Sequence, residues 1–354
     1  MSEQRIKVLI VEDSLVAQKL LRMLVNSDDR FELVAVAENG KQACEFVQKF
    51  NPDVVSMDLM MPVMDGVEAT LKIMQELPKP IVVVSSFYET TEVDMAMKVL
   101  QAGAVTILPR PYGPGHDKYE QSAKKYLNTL KLMSEIKVVK RSKSKEPIPV
   151  RKDCNENEVS SDNNKIQCYD ALAIGASAGG PDGLVTILSG LPSNFPLPVF
   201  VVQHIDGQFT EGFVSWLNSS SKMPVSIAKN GEKALPGHVY LPPADQHLVL
   251  RYNGIIATTN DAPVNSARPS VDVLFRSMAQ VYCKKSLVVL LSGMGKDGAH
   301  ALKHLFDLGA LTLAQSEDSC LVFGMPGEAA KLGAVSKLLS PNQILQEILH
   351  VIKI

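Results

Sequence analysis

The 354-residue sequence has few cysteines, little net charge and no long apolar segment. Its 5 cysteines stand far apart and form no C-x-x-C pair, which argues against a disulfide framework and against a zinc site. A formal net charge of -2 at pH 7 gives no electrostatic reason to expect a nucleic-acid or anionic-membrane partner. No signal-like region or bilayer-spanning segment is present, so no membrane insertion is expected. We therefore expect a cytoplasmic protein with reduced thiols.

The sequence is long and apolar enough for two domains, since 45% of its 354 residues are apolar. Residues 137–167 hold a basic run with two prolines, followed by a stretch rich in Asn, Ser and acidic residues. Such a composition has almost nothing to bury and predicts a flexible linker, although a basic run also suits docking to an acidic partner. We predict one domain over residues 1–136, the linker over 137–167 and a second domain over 168–354.

Strand and helix patterns alternate through the first domain. Continuous apolar runs, each followed by a helical pattern, predict strands at residues 6–11, 31–37, 53–57, 81–84 and 104–108. Alternation of this kind predicts an α/β fold with a doubly wound parallel sheet. Ligands of such sheets bind at the carboxyl ends of the strands.

Polar residues follow these predicted strands, at positions that converge on one edge of the sheet. They are Glu12 and Asp13, Asp58, Ser85 and Arg110. Carboxylates so close together repel one another unless a cation lies among them, so we predict that Glu12, Asp13 and Asp58 hold Mg²⁺. A carboxylate accepts a phosphoryl group when its charge is offset, which makes Asp58 the candidate phosphorylation site, with Ser85 and Arg110 contacting the phosphate. Taken singly, each residue is more often a helix cap or a surface charge.

Residues 1–120 resemble the response-regulator receiver family. The resemblance rests on Glu12-Asp13, the segment Asp58-Leu-Met-Met-Pro-Val-Met-Asp-Gly66, Ser85 and Arg110-Pro111. It implies a five-stranded flavodoxin-like sheet and phosphorylation of Asp58 by a histidine kinase. It further implies that Asp13 and Asp58 hold Mg²⁺ and that Ser85 passes on a conformational change. It also implies a cis peptide bond before Pro111. The sequence departs from the family at Arg110, where receivers usually carry lysine, and a guanidinium is bulkier and planar.

A candidate nucleophile stands near the start of the second domain. An apolar run at residues 170–176 ends in Gly175-Ala-Ser-Ala-Gly179, and a helical pattern follows. Ser177 therefore lies on a tight strand-to-helix turn, which exposes its hydroxyl and directs helix N–H groups at a developing negative charge. The alternative is the phosphate-binding turn of a dinucleotide-dependent enzyme, although Ser177 occupies the position of the second glycine in G-x-G-x-x-G.

Two further strand ends in the second domain carry His204 and Asp297. In a parallel sheet these residues meet Ser177 at one edge. Serine is a weak nucleophile until a histidine accepts its proton, and a carboxylate orients the imidazole. The turn Gly293-Met294-Gly295 adds N–H donors for an oxyanion. Spacing alone does not exclude four other histidines as the base, namely His238, His247, His300 and His304.

The second domain resembles the CheB family of protein-glutamate methylesterases. The matching segments are Ile174-Gly-Ala-Ser-Ala-Gly-Gly180, Gln203-His204, Arg268-Pro-Ser-Val-Asp272 and Gly293-Met-Gly-Lys-Asp-Gly298. The resemblance implies a doubly wound α/β methylesterase domain with Ser177 as nucleophile, His204 as base and Asp297 as orienting acid. It also implies that Met294 supplies an oxyanion N–H. The sequence departs from the family at Ala178, where threonine is common, and in the Ile-Asp-Gly-Gln segment after His204.

Together the two resemblances imply a phosphorylation-regulated serine hydrolase. Such an enzyme demethylates glutamate methyl esters on methyl-accepting chemotaxis receptors, releases methanol and deamidates receptor glutamines. A chemotaxis histidine kinase would be the phosphodonor, Mg²⁺ would serve the receiver, and the esterase reaction would use no cofactor. Without phosphate, the receiver would cover the serine site. A different interpretation is a phospho-dependent docking protein with an inactive esterase domain.

Overall fold

The computed structural model describes residues 5–85, 90–136, 138 and 169–353. The predicted linker at 137–167 lies outside these residues, apart from Val138. Its bounds and its flexibility therefore stay predictions. Cys44, Cys283 and Cys320 are free thiols, whereas Cys154 and Cys168 also lie outside the described residues.

The first sheet is parallel and five-stranded. Its strands are β1 (Ile6–Val11), β2 (Phe31–Ala37), β3 (Val54–Met57), β4 (Ile81–Ser85) and β5 (Thr106–Pro109). Their spatial order is β2-β1-β3-β4-β5, and each neighbouring pair is parallel. This is the flavodoxin-like order, so the predicted five-stranded doubly wound fold is confirmed.

A helix follows each strand of the first sheet. The helices are α1 (Leu15–Asn26), α2 (Gly40–Phe50), α3 (Gly66–Glu76), α4 (Thr90–Ala102) and α5 (Tyr119–Ser134). The local sequence determines where two of these helices, α2 and α3, begin. The side chains of Asn39 and Asp65 accept hydrogen bonds from the backbone N–H groups of Gln42 and Glu68, which satisfies donors that the first turn leaves unpaired.

The second sheet is parallel and seven-stranded, and a separate antiparallel hairpin lies beside it. The strands are β6 (Ala171–Ala176), β7 (Val199–Gln203), β8 (Val225–Ile227), β9 (Val239–Leu241), β10 (His247–Arg251), β11 (Ile255–Thr259), β12 (Ser286–Leu290), β13 (Leu311–Gln315) and β14 (Lys337–Leu339). The sheet has the order β14-β13-β12-β6-β7-β9-β8, and β10 and β11 form the hairpin. The α/β class predicted for this half is confirmed, although the sequence analysis missed β14.

Helices connect the strands of the second sheet. They are α6 (Gly180–Gly190), α7 (Thr210–Ser220), α8 (Val271–Val281), α9 (Ala299–Asp307), α10 (Met325–Lys331) and α11 (Pro341–Ile352). Helix α10 was not predicted from the sequence. Across the described residues, none of the helices combines the length and the apolar character that crossing a bilayer requires.

The strand order of each sheet reverses at one point, and the candidate site residues Asp58 and Ser177 lie near these points. In the first sheet β1 lies between β2 and β3, and in the second sheet β6 lies between β12 and β7. Open α/β sheets bind ligands outside the carboxyl ends of the strands at such a switch point. Asp58 follows β3 in the first sheet, and Ser177 follows β6 in the second.

The receiver half packs against the second half through its last two helices. Helix α4 contacts α6 and α7. On α5, the ammonium of Lys125 forms an ion pair with Asp206, which lies in the loop between β7 and α7. The same loop begins with His204, so the receiver touches the segment that carries the predicted base.

Candidate active site and phosphorylation site

Ser177 lies in a tight turn between β6 and α6. Its backbone N–H donates to the carbonyl of Ser292 at 3.0 Å, and its own carbonyl accepts from the N–H of Gly180 at 2.9 Å. Gly179 has φ +73°, a left-handed conformation, and a Cβ there would lie 2.4 Å from the Cβ of Leu321. The turn therefore needs glycine at this position, and it fixes the serine at the edge of the sheet.

The structure brings Ser177, His204 and Asp297 together. The Nδ1 atom of His204 lies 3.1 Å from Ser177 Oγ, and its Nε2 atom lies 2.9 Å from Asp297 Oδ2. A carboxylate accepts but does not donate, so Nε2 carries the proton and Nδ1 is left with a lone pair facing the serine hydroxyl. This is the arrangement in which an imidazole removes the proton of a serine.

Asp297 is held as an anion by the start of α8. Burial raises its pKa, but hydrogen bonds from His204, Asn265 and Ser270 outweigh burial and lower the pKa to about 2. Asn265 Nδ2 and Ser270 Oγ donate to Oδ1 at 2.9 and 2.8 Å. The backbone N–H of Val271 donates to Oδ2 at 2.7 Å. The carboxylate is therefore ionised and fixed in orientation at neutral pH.

The hydrogen bonds of Asn265 and Ser270 to Asp297 were not predicted from the sequence. Ser270 stands in the segment Arg268-Pro-Ser-Val-Asp272, which carried the family resemblance without a chemical role. Asn265 stands in the loop before that segment, with φ 51°, and its amide donates to both Asp272 and Asp297. No sequence pattern distinguished it from an ordinary loop asparagine.

The other candidate bases have partners elsewhere or lie on the surface. His247 is fully buried, accepts from the N–H of Ser270 at 3.1 Å and contacts the carbonyl of Ala262 at 3.2 Å. It therefore supports the loop before α8. His238 lies 2.8 Å from Ser226 Oγ, and burial lowers the pKa of its ring. His300 is exposed and His304 lies in the last turn of α9.

The turn after β12 lies directly against the nucleophile. A Cβ on Gly293 would lie 2.8 Å from the Cβ of Ser177, and the N–H of Gly293 donates to the carbonyl of Val322 at 3.1 Å. The backbone N–H of the next residue, Met294, has no hydrogen-bond partner among the described residues. This leaves it free to donate to an oxyanion, a role that stays a prediction.

The receiver site gathers the predicted acidic residues. Glu12, Asp13 and Asp58 each offer an oxygen, and these oxygens lie within 4.8 Å of one another. Burial, and then the charge of Asp58, raise the pKa of Glu12 to about 7. The three carboxyl groups offer only oxygen ligands, so they fit a hard divalent cation such as Mg²⁺.

Arg110 is the cation that partly balances this cluster. Its Nη2 atom lies 2.9 Å from Glu12 Oε2 and 3.4 Å from Asp58 Oδ2, and its buried Nε atom has no hydrogen-bond partner among the described residues. The backbone N–H of Arg110 donates to the carbonyl of Ser85 at 2.9 Å, so these two residues lie side by side. The expected cis bond before Pro111 is wrong, because the cis peptide bond of the described residues is Arg268–Pro269.

Comparison with known proteins identifies the family of both halves. The CheB methylesterase model matches residues 172–348, and the response regulator receiver model matches residues 8–116. The chain belongs to the CheB methylesterase family. Its relatives include "Protein-glutamate methylesterase/protein-glutamine glutaminase 4" of Geobacter metallireducens, which is 45% identical over 346 residues, 96% of this chain and 97% of the relative.

Another relative and a solved structure agree with this assignment. A protein-glutamate methylesterase/protein-glutamine glutaminase of Nitrosospira multiformis is 41% identical over 348 residues, 98% of this chain and 97% of the relative. The crystal structure of the Thermotoga maritima CheB methylesterase catalytic domain is 35% identical, with a TM-score of 0.50, over 52% of this chain and 98% of that domain. The likeness therefore spans the second sheet and its connections.

The two departures from the CheB pattern lie at structurally distinct places. Ala178 is buried, and its carbonyl accepts from Ser292 Oγ at 2.8 Å, so its backbone supports the turn beneath the serine. The segment after His204 includes Asp206, whose carboxylate accepts from the N–H of Gln208 at 3.1 Å and pairs with Lys125. This second departure is thus the place where the receiver contacts the loop of the predicted base.

Proposed function

We propose that this CheB-family chain is a phosphorylation-regulated serine hydrolase. It hydrolyses glutamate methyl esters on methyl-accepting chemotaxis receptors, releases methanol and deamidates receptor glutamines. The observation that carries the proposal is the continuous hydrogen-bonded series Ser177, His204 and Asp297. The relatives are named protein-glutamate methylesterases and protein-glutamine glutaminases, which supports glutamate methyl esters and glutamines of proteins as the substrate class.

The proposed reaction assigns each proton to a named atom. His204 Nδ1 takes the proton of Ser177 as Oγ attacks the ester carbonyl, and the ionised Asp297 stabilises the imidazolium. The N–H of Met294 donates to the oxyanion, an interaction worth about 3 kcal/mol. The intermediate expels methanol, which receives the proton from His204, and an acyl-enzyme remains. Water then gives His204 a proton, attacks the acyl carbon and frees the glutamate carboxylate, and the proton returns to Ser177. A glutamine substrate follows the same course and releases ammonia.

The proposed regulation begins at Asp58, which takes a phosphoryl group from a chemotaxis histidine kinase. Glu12, Asp13 and Asp58 would hold Mg²⁺, which offsets the charge of the phosphoryl oxygens when bound. Arg110 pairs with the phosphate through its guanidinium, and Ser85 donates a hydrogen bond to it. The present contacts of Arg110 with Glu12 and Asp58 support its assignment, since they place its donors within this cluster.

The receiver transmits its state by its packing on the second half. In the resting arrangement α4 packs on α6 and α7, and Lys125 holds the loop of His204 through Asp206. Phosphorylation weakens this packing and shifts the population toward an open site. The domain bounds at residues 136 and 168 and a cytoplasmic location belong to the same proposal.

Methanol release from methylated receptors tests the proposal, with and without phosphoramidate as a small phosphodonor. We expect activity that phosphoramidate raises, loss of all turnover in Ser177→Ala, and loss of the stimulation alone in Asp58→Asn. Survival of the biological function in Ser177→Ala would favour a docking protein with an inactive esterase domain. Retention of a dinucleotide through purification would favour the dinucleotide-dependent alternative.

A further inference from the structure

Gln203 joins the backbones of the predicted nucleophile and base. It is the last residue of β7 and is 5% exposed. Its Nε2 atom donates to the carbonyl of Ser177 at 2.9 Å and to the carbonyl of His204 at 3.0 Å. One amide group therefore spans the ends of two neighbouring strands, β6 and β7, from which the reacting side chains project.

The amide of Gln203 has an orientation that its surroundings determine. A flipped amide would point its oxygen at two carbonyl oxygens, which is repulsive, so the donor must face Ser177 and His204. The Oε1 atom is then buried without a hydrogen-bond partner among the described residues. It points toward the start of α6, where a Cβ on Gly180 would lie 3.0 Å away. Glycine at position 180 leaves room for this oxygen.

An unpaired buried acceptor argues against a purely structural role for Gln203. Leaving such an atom without a donor costs about 1–3 kcal/mol. The carbonyl of Ser177 already accepts from the N–H of Gly180 at 2.9 Å, so it does not need the amide to be satisfied. A side chain without an acceptor would fill the position at lower cost. The arrangement is explained if the amide of Gln203 fixes the distance between the loops that begin with Ser177 and His204.

We infer that Gln203 is a positioning residue, which fixes the separation of Ser177 and His204. The Oγ to Nδ1 distance of 3.1 Å depends on the relative placement of two strand ends, and Gln203 bonds to the backbone of both residues. A displacement of about 1 Å between reacting groups costs about 100-fold in rate. The inference rests on the proposed function for its substrate, but its geometry concerns only the serine and its base.

The test replaces Gln203 by methionine, which has a similar length but no hydrogen-bond donor and only a weakly accepting sulfur. We expect kcat for methanol release to fall by about 10- to 100-fold with KM unchanged. We also expect the rate constant for labelling of Ser177 by a small fluorophosphonate to fall by the same factor. That rate constant is measured on the full chain and reports on folded molecules, because unfolded ones lower only the labelled fraction.

The matched control is Gln18→Met in the receiver. Gln18 is also a buried glutamine, and its Nε2 atom donates to the carbonyl of Glu12 at 2.7 Å. We expect this change to leave the labelling rate constant unaltered. An unchanged labelling rate constant in Gln203→Met, or a fall equal to that of the control, overturns the inference. If receptors are not demethylated at all, the proposed function fails while the labelling result still decides the part played by Gln203.

Discussion

The two polar sites of this chain stand at the same edge of similar sheets, yet they treat buried carboxylates in opposite ways. In the second half, hydrogen bonds outweigh burial and lower the pKa of Asp297 to about 2. In the receiver, burial and the neighbouring Asp58 raise the pKa of Glu12 to about 7. Desolvation acts in the same direction at both sites, so the supply of donors decides the outcome.

This difference matches the chemistry proposed for each site. Asp297 receives two backbone N–H groups, an amide and a hydroxyl, besides the imidazole, so it is a permanent anion suited to orienting His204. Glu12 and Asp58 share one guanidinium, Arg110. A site with surplus negative charge is suited to binding a cation and then a phosphoryl group. The same class of fold thus yields one site whose carboxylate is fully hydrogen-bonded and one whose carboxylates have a surplus of negative charge.

The largest expected effect comes from neutralising the anion of the second site. Asp297→Asn keeps the shape of the side chain but removes its charge and offers a donor to His204, which favours the wrong tautomer of the ring. We expect kcat for methanol release to fall by about 10⁴-fold. Asp272→Asn on the same helix start is the control, with a smaller loss. Activity within tenfold of the unmodified chain would mean that Asp297 does not orient the base.

The next effect concerns stability, and it separates the two carboxylates by pH. A raised pKa means that folded Glu12 binds a proton between pH 4.5 and about 7, where the unfolded chain does not. The free energy of unfolding therefore falls as the pH rises through the folded-state pKa of Glu12. Between pH 5.5 and pH 8 the loss is about 2 kcal/mol in the absence of Mg²⁺. Asp297 stays ionised throughout this range.

Calorimetry at pH 5.5 and pH 8 measures this effect on the receiver transition. We expect Glu12→Gln to remove most of the difference and added Mg²⁺ to restore stability at pH 8, since the cation offsets the charge of the cluster. A difference of the same size in Glu12→Gln would assign the pH dependence to other groups. The matched change Glu32→Gln, away from the acidic cluster, should leave it intact.

A smaller effect follows from removing one of the donors to Asp297. Ser270→Ala deletes the hydrogen bond at 2.8 Å but leaves those from Asn265 and the backbone. A hydrogen bond to a charged group contributes about 1.5 kcal/mol, so we expect kcat to fall by about tenfold. Ser277→Ala, at a buried serine inside α8, is the control and should leave kcat unchanged. Equal losses in both variants would indicate a general disturbance of the helix.

The strand ends of both sites follow from the sequence, whereas the contacts that tune them do not. The bounds predicted for β1 and β2 agree with the structure, because each is an apolar run broken by a single charged residue and bounded by charged residues at both ends. The residue after such a run stands at the ligand-binding edge, which located Asp58 and Ser177. Strand β14 was missed because it is short and mostly exposed, so it has no apolar run.

The loop contacts escaped prediction for a different reason. Asn265 reaches Asp297 from 32 positions away, through a left-handed backbone conformation that many loop asparagines adopt. Lys125 and Asp206 are 81 positions apart and belong to different halves. Contacts of this kind depend on the packing of completed units, which no local pattern encodes. Sequence therefore locates the proposed reacting groups better than it locates the residues that support them.

The smallest expected effect tests the contact that joins the two halves of the chain. Lys125→Ala removes the ion pair with Asp206, and partly exposed pairs contribute about 0.2–1 kcal/mol. Loss of this contact favours the open arrangement, so we expect basal methanol release to rise by about threefold and stimulation by phosphoramidate to shrink. Lys124→Ala makes the same charge change at the neighbouring exposed position and should alter neither. If both variants raise the basal rate equally, net charge on α5 matters and the ion pair does not.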